Sequence, residues 1–309
     1  MLKIWSLLKK HWQEDFSLAY YSSVILFLAV SLLFNYYVGL ENKVIDRDSG
    51  NPIRILWYFL LYGTAYYGTV VLLILFKKRK DLFTSPQFWI LTLTGTLLLA
   101  INSGFPIRGL LNQFDIDVKV YFWIYALASN LTGFVIVSLP LIFVGIFTNS
   151  SNRLYGLMST EFDLRPYLNL LLIVLPILIL ASFANSFQDY YPTYRSNSVA
   201  ENLNWPTWLP MFIYEVAYGL DFFNTEFMFR EFMVIGLAHL LGKDSIAPMV
   251  SVYCFLHFGK PSAEAISSIL GGYVLGVIAF YSKNIWGGLI IHIGIAWMME
   301  LMAYLQRIY

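Results

Sequence analysis

Charge is scarce in this chain. Of its 309 residues, 20 are Lys or Arg and 19 are Asp or Glu, or 13% together. A soluble domain carries about a quarter charged residues. So little polar surface cannot coat a globule of this size, which excludes an ordinary soluble domain. The formal net charge is +1. The strongly basic balance of a nucleic-acid binder is therefore missing, and nothing points to an acidic partner. Cysteine is nearly absent too. A single residue, Cys254, excludes an intrachain disulfide and a multi-cysteine zinc site. It is expected to act as a small buried hydrophobe. There is no His-Glu-x-x-His sequence, the helix of the common zinc metalloproteases. The amino-terminal MLKIWSLLKKHWQEDF has no small-residue cleavage site, so it is expected to be a mature amphipathic end and not a signal peptide. No short-period repeat is visible.

What the chain has instead is apolar sequence, 58% of it hydrophobic and 18% aromatic. A helix needs about 20 apolar residues to cross the hydrocarbon core of a bilayer. Five stretches qualify in the first part, at 18–38, 55–76, 88–103, 120–147 and 167–184. Five more follow closely, at 208–223, 226–241, 246–258, 263–281 and 285–305. The expected fold class is all-α, a polytopic transmembrane bundle of about eight to ten spans, the shorter segments not all crossing alone. The lipid bilayer is then an obligate partner, and polar groups inside these spans must find partners within the protein.

Orientation follows the basic loops. Lys3, Lys9 and Lys10 precede the first stretch, and Lys77, Lys78, Arg79 and Lys80 follow the second. Both sets fall on one side if the first two stretches cross, and that side should be cytoplasmic. Arg153 and Arg165 then share it, while the polar loop 185–205, with Arg195 alone, lies outside. Ten crossings would return Arg307 to the cytoplasm, leaving both termini there. Within residues 1–184 the apolar spans are bulky and almost free of titratable groups. The segment 205–309 carries acids, histidines and small residues such as Gly271, Gly272, Gly276, Gly287, Gly288 and Gly294, which allow close helix approach. The functional core is expected in that second part.

Four ionisable groups stand out there: Glu226, Arg230, His257 and His292. On insertion scales a charged group at membrane depth costs roughly 3 kcal/mol. Glu226 and Arg230 are four apart and share a helix face. One reading is a buried structural ion pair. The other has the carboxylate polarise a water while the arginine sets its position. Either histidine alone could be a hydrogen-bonded interface residue. Together, Glu226, His257 and His292 suffice to hold and activate a water. A zinc site would use these three as ligands and leave one position open. A metal-free site would use the glutamate as base and a histidine as oxyanion donor. Catalysis requires the three to converge within water-bridging reach. His11 and His239 lack comparable surroundings.

At these residues the chain resembles the CPBP family, also called Abi, the intramembrane proteases related to type II CAAX prenyl endopeptidases. The family's Glu-Glu-x-x-x-Arg motif corresponds to Thr225-Glu226-Phe227-Met228-Phe229-Arg230. Its Phe-x-x-x-His motif corresponds to Tyr253-Cys254-Phe255-Leu256-His257. Its His-x-x-x-Asn or Asp motif, with a tryptophan six residues upstream, corresponds to Trp286, His292 and Ala296. The resemblance implies a helical membrane core over 205–309 in a bacterial cytoplasmic membrane. It implies an endopeptidase acting on a hydrophobic or lipidated peptide, with zinc, or with no metal if the protease is of the glutamate type. Glu226, Arg230, His257 and His292 carry over by position. The family's water-activating glutamate is Thr225 here, and its amide or acid is Ala296. Glu226, Asp221, Glu231 and Glu300 are the acids that could take over the base role, and Asn224 could supply an amide. The alternative is a non-catalytic member acting as a membrane scaffold, immunity or peptide-binding factor. A transporter also fits intramembrane charge, though no inverted repeat is visible.

Overall fold

The computed structural model describes residues 2–48, 50–147, 157, 163–194 and 198–308. Arg153 and Arg195 lie outside the described residues. Among these residues every regular element is helical. An amphipathic helix α1 (Leu2–Asp15) is followed by α2 (Leu18–Val38), α3 (Ile53–Lys77) and α4 (Pro86–Gly104). Next, α5 (Val118–Gly133) runs through a π-helical turn, Phe134–Ser138, into Leu139–Phe147. Then come α6 (Arg165–Ala181), α7 (Trp208–Glu226), α8 (Ile246–Leu256), α9 (Ser262–Ser282) and α10 (Trp286–Ile308). Six helical stretches are long and apolar enough to cross a membrane. Their outer faces expose Ile25, Leu33, Leu75 and Leu270, a surface that lipid solvates and water does not. The chain is therefore an all-helical, polytopic membrane protein, as its composition requires.

Local sequence sets the helix ends. Ser85 accepts the Phe88 N–H at 3.2 Å ahead of Pro86, which has no N–H to lose at the first position of α4. Asn284 accepts from Trp286 N–H at 2.7 Å where α10 begins. Gly39 closes α2 in the left-handed conformation, φ +69°.

The bundle has two recognisable ends. At the basic end Lys77 pairs with Asp244 at 2.6 Å, and Arg79 donates to the Leu240 carbonyl at 2.7 Å. Lys243 and Tyr281 both reach Glu14, at 2.7 and 3.0 Å. At the far end Asn35 meets Phe258, Thr193 meets Glu300, and Gln306 donates to Ser182. The helix α8 sits centrally, with every residue from Ile246 to Phe255 buried. That explains why it is apolar on all sides. Its Cys254 is buried, as expected.

One expected boundary is absent. The stretches 208–223 and 226–241 form one continuous path, because α7 does not turn after Phe223. It passes instead into a π-helix, Phe227–Gly236, and then Ala238–Leu241. No Gly or Pro lies between Phe222 and Phe229 to stop it, and Asn224 is held in the bundle by the Ser138 hydroxyl at 2.9 Å. With one crossing fewer, the chain does not return to its starting end. The last turn, at Gln306, lies at the far end, whereas α1 docks at the basic end. The two termini expected on one side thus lie at opposite ends of the bundle.

Gly104 lets α4 approach α3 closely. A Cβ there would lie 2.6 Å from the Ile55 backbone nitrogen, whereas one at Gly271 would meet nothing within 4 Å. Gly104→Ala should lose about 1–3 kcal/mol by overpacking, and Gly271→Ala should be neutral or gain slightly from helix propensity. Thermal unfolding in micelles reads both, and equal effects would contradict this packing.

Candidate functional site

Glu226 is the last α-helical residue of α7, and Arg230 falls in the π-helical continuation. There the backbone bonds run i to i+5, as from Leu237 N–H to the Phe232 carbonyl at 3.1 Å. Both side chains are fully buried, at 0% exposure. An Arg230 guanidinium nitrogen lies 3.2 Å from Glu226 Oε1. His292, from α10, places Nδ1 3.1 Å from the same oxygen. A carboxylate can only accept, so with Glu226 ionised Nδ1 carries the proton. The other ring nitrogen, Nε2, meets the Tyr253 hydroxyl at 3.1 Å. Gly288, in the first turn of α10, makes this approach possible, because a Cβ there would collide with Glu226 Oε2. The positive end of the α10 dipole also favours an anion at that place.

Tyr253 joins the parts. Its ring lies under the Arg230 guanidinium, 4.6 Å from centroid to Cζ, in a cation–π arrangement. Its carbonyl accepts from His257 Nδ1 at 2.7 Å, and the two rings stand edge to face at 4.6 Å. His257 Nδ1 must carry the proton there, which leaves Nε2 with its lone pair and no protein partner among the described residues. Phe222 covers the other side of His292, with ring centroids 4.5 Å apart.

The structure thus brings Glu226, Arg230 and His292 into direct contact and attaches His257 through Tyr253. Sequence reasoning gave no role to Tyr253. The available signal was a hydroxyl-bearing aromatic four residues before His257 on an otherwise apolar helix, since a buried tyrosine hydroxyl needs a partner.

The expected substitutes point elsewhere. Asn224 is bonded to Ser138 and, with Asp221, faces Gly133 of α5. Glu300 accepts from Thr193 N–H and hydroxyl at the far end. Glu231 lines a separate small cavity of about 20 Å³ with Leu91, Leu141 and Phe227. Thr225 and Ala296 add no bond to the network. His11 is buried against Tyr21 beside α9, and His239 binds the Gly236 carbonyl.

The three-ligand metal set does not fit. Among the described residues no three His, Cys, Asp or Glu side chains gather as a metal-holding group. Both nitrogens of His292 are already engaged. What the arrangement does offer is unmet bonding capacity. Glu226 Oε2 has no donor, and none of the three Arg230 guanidinium nitrogens has an aligned acceptor. No family model, curated protein or solved structure matches the chain.

A buried ion pair is costly to break by halves. Glu226→Ala should lose about 3–5 kcal/mol by stranding the Arg230 charge. The double variant Glu226→Ala with Arg230→Met should recover most of that. Denaturant unfolding of the four species gives the coupling, and simple additivity would mean that the two groups do not act as a pair.

Proposed function

We propose that this protein is an intramembrane endopeptidase of the CPBP type, hydrolysing a peptide bond in a hydrophobic or lipidated membrane-associated peptide. The observation that carries this reading is a fully buried Glu226 whose Oε2 has no hydrogen-bond donor, paired with Arg230, whose guanidinium nitrogens have no aligned acceptor. A water placed between them would be polarised by the carboxylate. Glu226 takes its proton while the hydroxide oxygen bonds to the peptide carbonyl carbon. The oxyanion that develops meets Arg230, whose donors are already oriented. The C–N bond then breaks, and the proton passes from Glu226 to the leaving amine. His292 holds Oε1, so that Oε2 faces the water. His257, with Nε2 open, binds or polarises the same water. No step uses a metal.

A second reading rests on the same burial. A Glu226–Arg230 pair with no exposure also suits a non-catalytic member that binds a peptide or partner protein, and Thr225 and Ala296 favour it. On the proteolytic reading, Glu226→Gln and His257→Ala should each reduce cleavage of a membrane peptide more than about 100-fold, as loss of a general base does, at unchanged protein level. Cleavage that survives both changes ends this reading. A biological phenotype that survives Glu226→Gln would support the scaffold reading.

The basic end, with Lys77, Arg79 and Lys243, faces the cytoplasm of a bacterial inner membrane on this proposal. Cys254 is buried, so added cysteines report cleanly. A membrane-impermeant maleimide should label Asn202→Cys in intact cells and should leave Lys80→Cys unlabelled. The opposite pattern would invert the orientation.

A further inference from the structure

The connection from α8 to α9 carries His257 at its start, and it is held mainly by a helix from the other half of the chain. Asn35, buried near the end of α2, donates its amide to the Phe258 carbonyl at 2.9 Å. The next side chain, Tyr36, donates its hydroxyl to the Lys260 carbonyl at 2.8 Å. Between these, Gly259 N–H donates to the Glu41 carboxyl. A Cβ on Gly259 would come within 2.8 Å of Glu41 Oε1. Three successive residues after His257 are thus each fastened to α2 or to the turn that follows it.

The turn is built to reach back. Gly39, in the left-handed conformation, donates to the Asn35 carbonyl at 2.7 Å, and Glu41 N–H donates to Asn35 Oδ1 at 3.2 Å. Asn35 therefore uses both ends of its amide, one for the turn and one for the connection. Behind Glu41, the Tyr58 hydroxyl lies 3.4 Å from its Oε1 and 2.8 Å from Asp46, which Arg54 holds at 2.5 Å.

We infer that Asn35, Tyr36 and Glu41 are positioning residues for His257, fixing the 258–260 backbone and through it the imidazole that Tyr253 links to the Glu226 site. The chemical consequence rests on the proteolytic reading; the mechanical one does not. The clamp is also responsive to pH. Burial, and then the charge of Asp46, push the Glu41 carboxyl up to about 8. The groups around it are Asp46 on the same turn, Tyr36 on α2, Arg54, Tyr58 and Tyr62 on α3, and Lys260 and Glu264 across the connection. An acid whose folded value is raised stabilises the fold while protonated, and that contribution is lost as pH rises through the folded value. The clamp should therefore loosen progressively as pH rises from about 4.5 to about 8 and change little above that.

Amide hydrogen exchange on the full chain in nanodiscs tests this, alongside peptide cleavage. Asn35→Ala should lower protection at 258–260 about tenfold, the scale of one buried hydrogen bond, and lower kcat similarly with KM unchanged. Wild-type protection there should fall as pH rises toward about 8 and level off above it, and Glu41→Gln, a neutral isostere, should keep it across that range while Glu41→Ala loses it. Unchanged protection in both Asn35→Ala and Glu41→Ala would overturn the inference, as would a pH-dependent loss that persists in Glu41→Gln. If exchange responds as described but neither wild type nor any variant cleaves peptide, the proteolytic reading fails and the clamp stands. If Glu226→Gln abolishes cleavage while the α2 variants alter neither protection nor kcat, the clamp fails and the proteolytic reading stands.

Discussion

Arg230 is fully buried in an apolar bundle, and a guanidinium keeps its charge at any physiological pH. Much of the surrounding architecture follows from that charge. It needs an anion close by, which Glu226 supplies from one turn away. The carboxylate needs a second donor, which only another helix can bring, and His292 does so from α10. Bringing α10 that close requires Gly288, because any side chain there would strike Glu226. His292 then has a second nitrogen to satisfy, and Tyr253 of α8 meets it while offering its ring face to Arg230. One buried charge thus ties together α7, α8 and α10.

The π-helical segment belongs to the same chain of causes. Ten residues with i to i+5 bonding lie immediately after Glu226, where a short π-bulge is the usual extent and functional sites the usual place. A wider backbone turn changes which side chains share a face. Phe227, Met228, Phe229, Arg230 and Glu231 are all buried in succession, which a regular α-helix at a bundle surface would not allow. The π register turns this whole stretch inward and lets one short segment serve several neighbouring helices.

The parts of the fold legible in sequence were those with a local signature. Apolar runs marked most helices, basic loops their orientation, and the grouping of Glu226 with Arg230 and His292 followed from the cost of burying charge. The continuity of α7 was not legible. Polar Asn224 and Thr225 resemble a loop by type, and only Ser138, 86 residues away, shows why Asn224 stays inside. Tyr253 was hidden because its hydroxyl serves a residue 39 positions distant. Asp221, Asn224 and Glu300 were misjudged for the opposite reason. Helical spacing placed them near the site, but Asn224 and Glu300 bond to other elements and Asp221 faces Gly133.

The relation between the two halves of the chain changes accordingly. Titratable groups suggested that the functional core lies in 205–309, with no role assigned to the spans of 1–184. Yet one core combines Tyr20, Leu28, Tyr62 and Phe88 with Phe227 and Cys254, and Asn35 reaches across 223 positions to the backbone beside His257. The His257 imidazole is held on its helix side by Tyr253, but the backbone that follows it is a short connection. Here that connection contains Gly259, and glycine loses the most backbone freedom when ordered. Geometry at such a place has to be imposed from outside. The end of α2 and the turn after it do so with bonds to the backbone of the connection, and Glu41 comes so close to Gly259 that a side chain there would crowd it. A site whose chemistry comes from one half can therefore depend for its shape on the other.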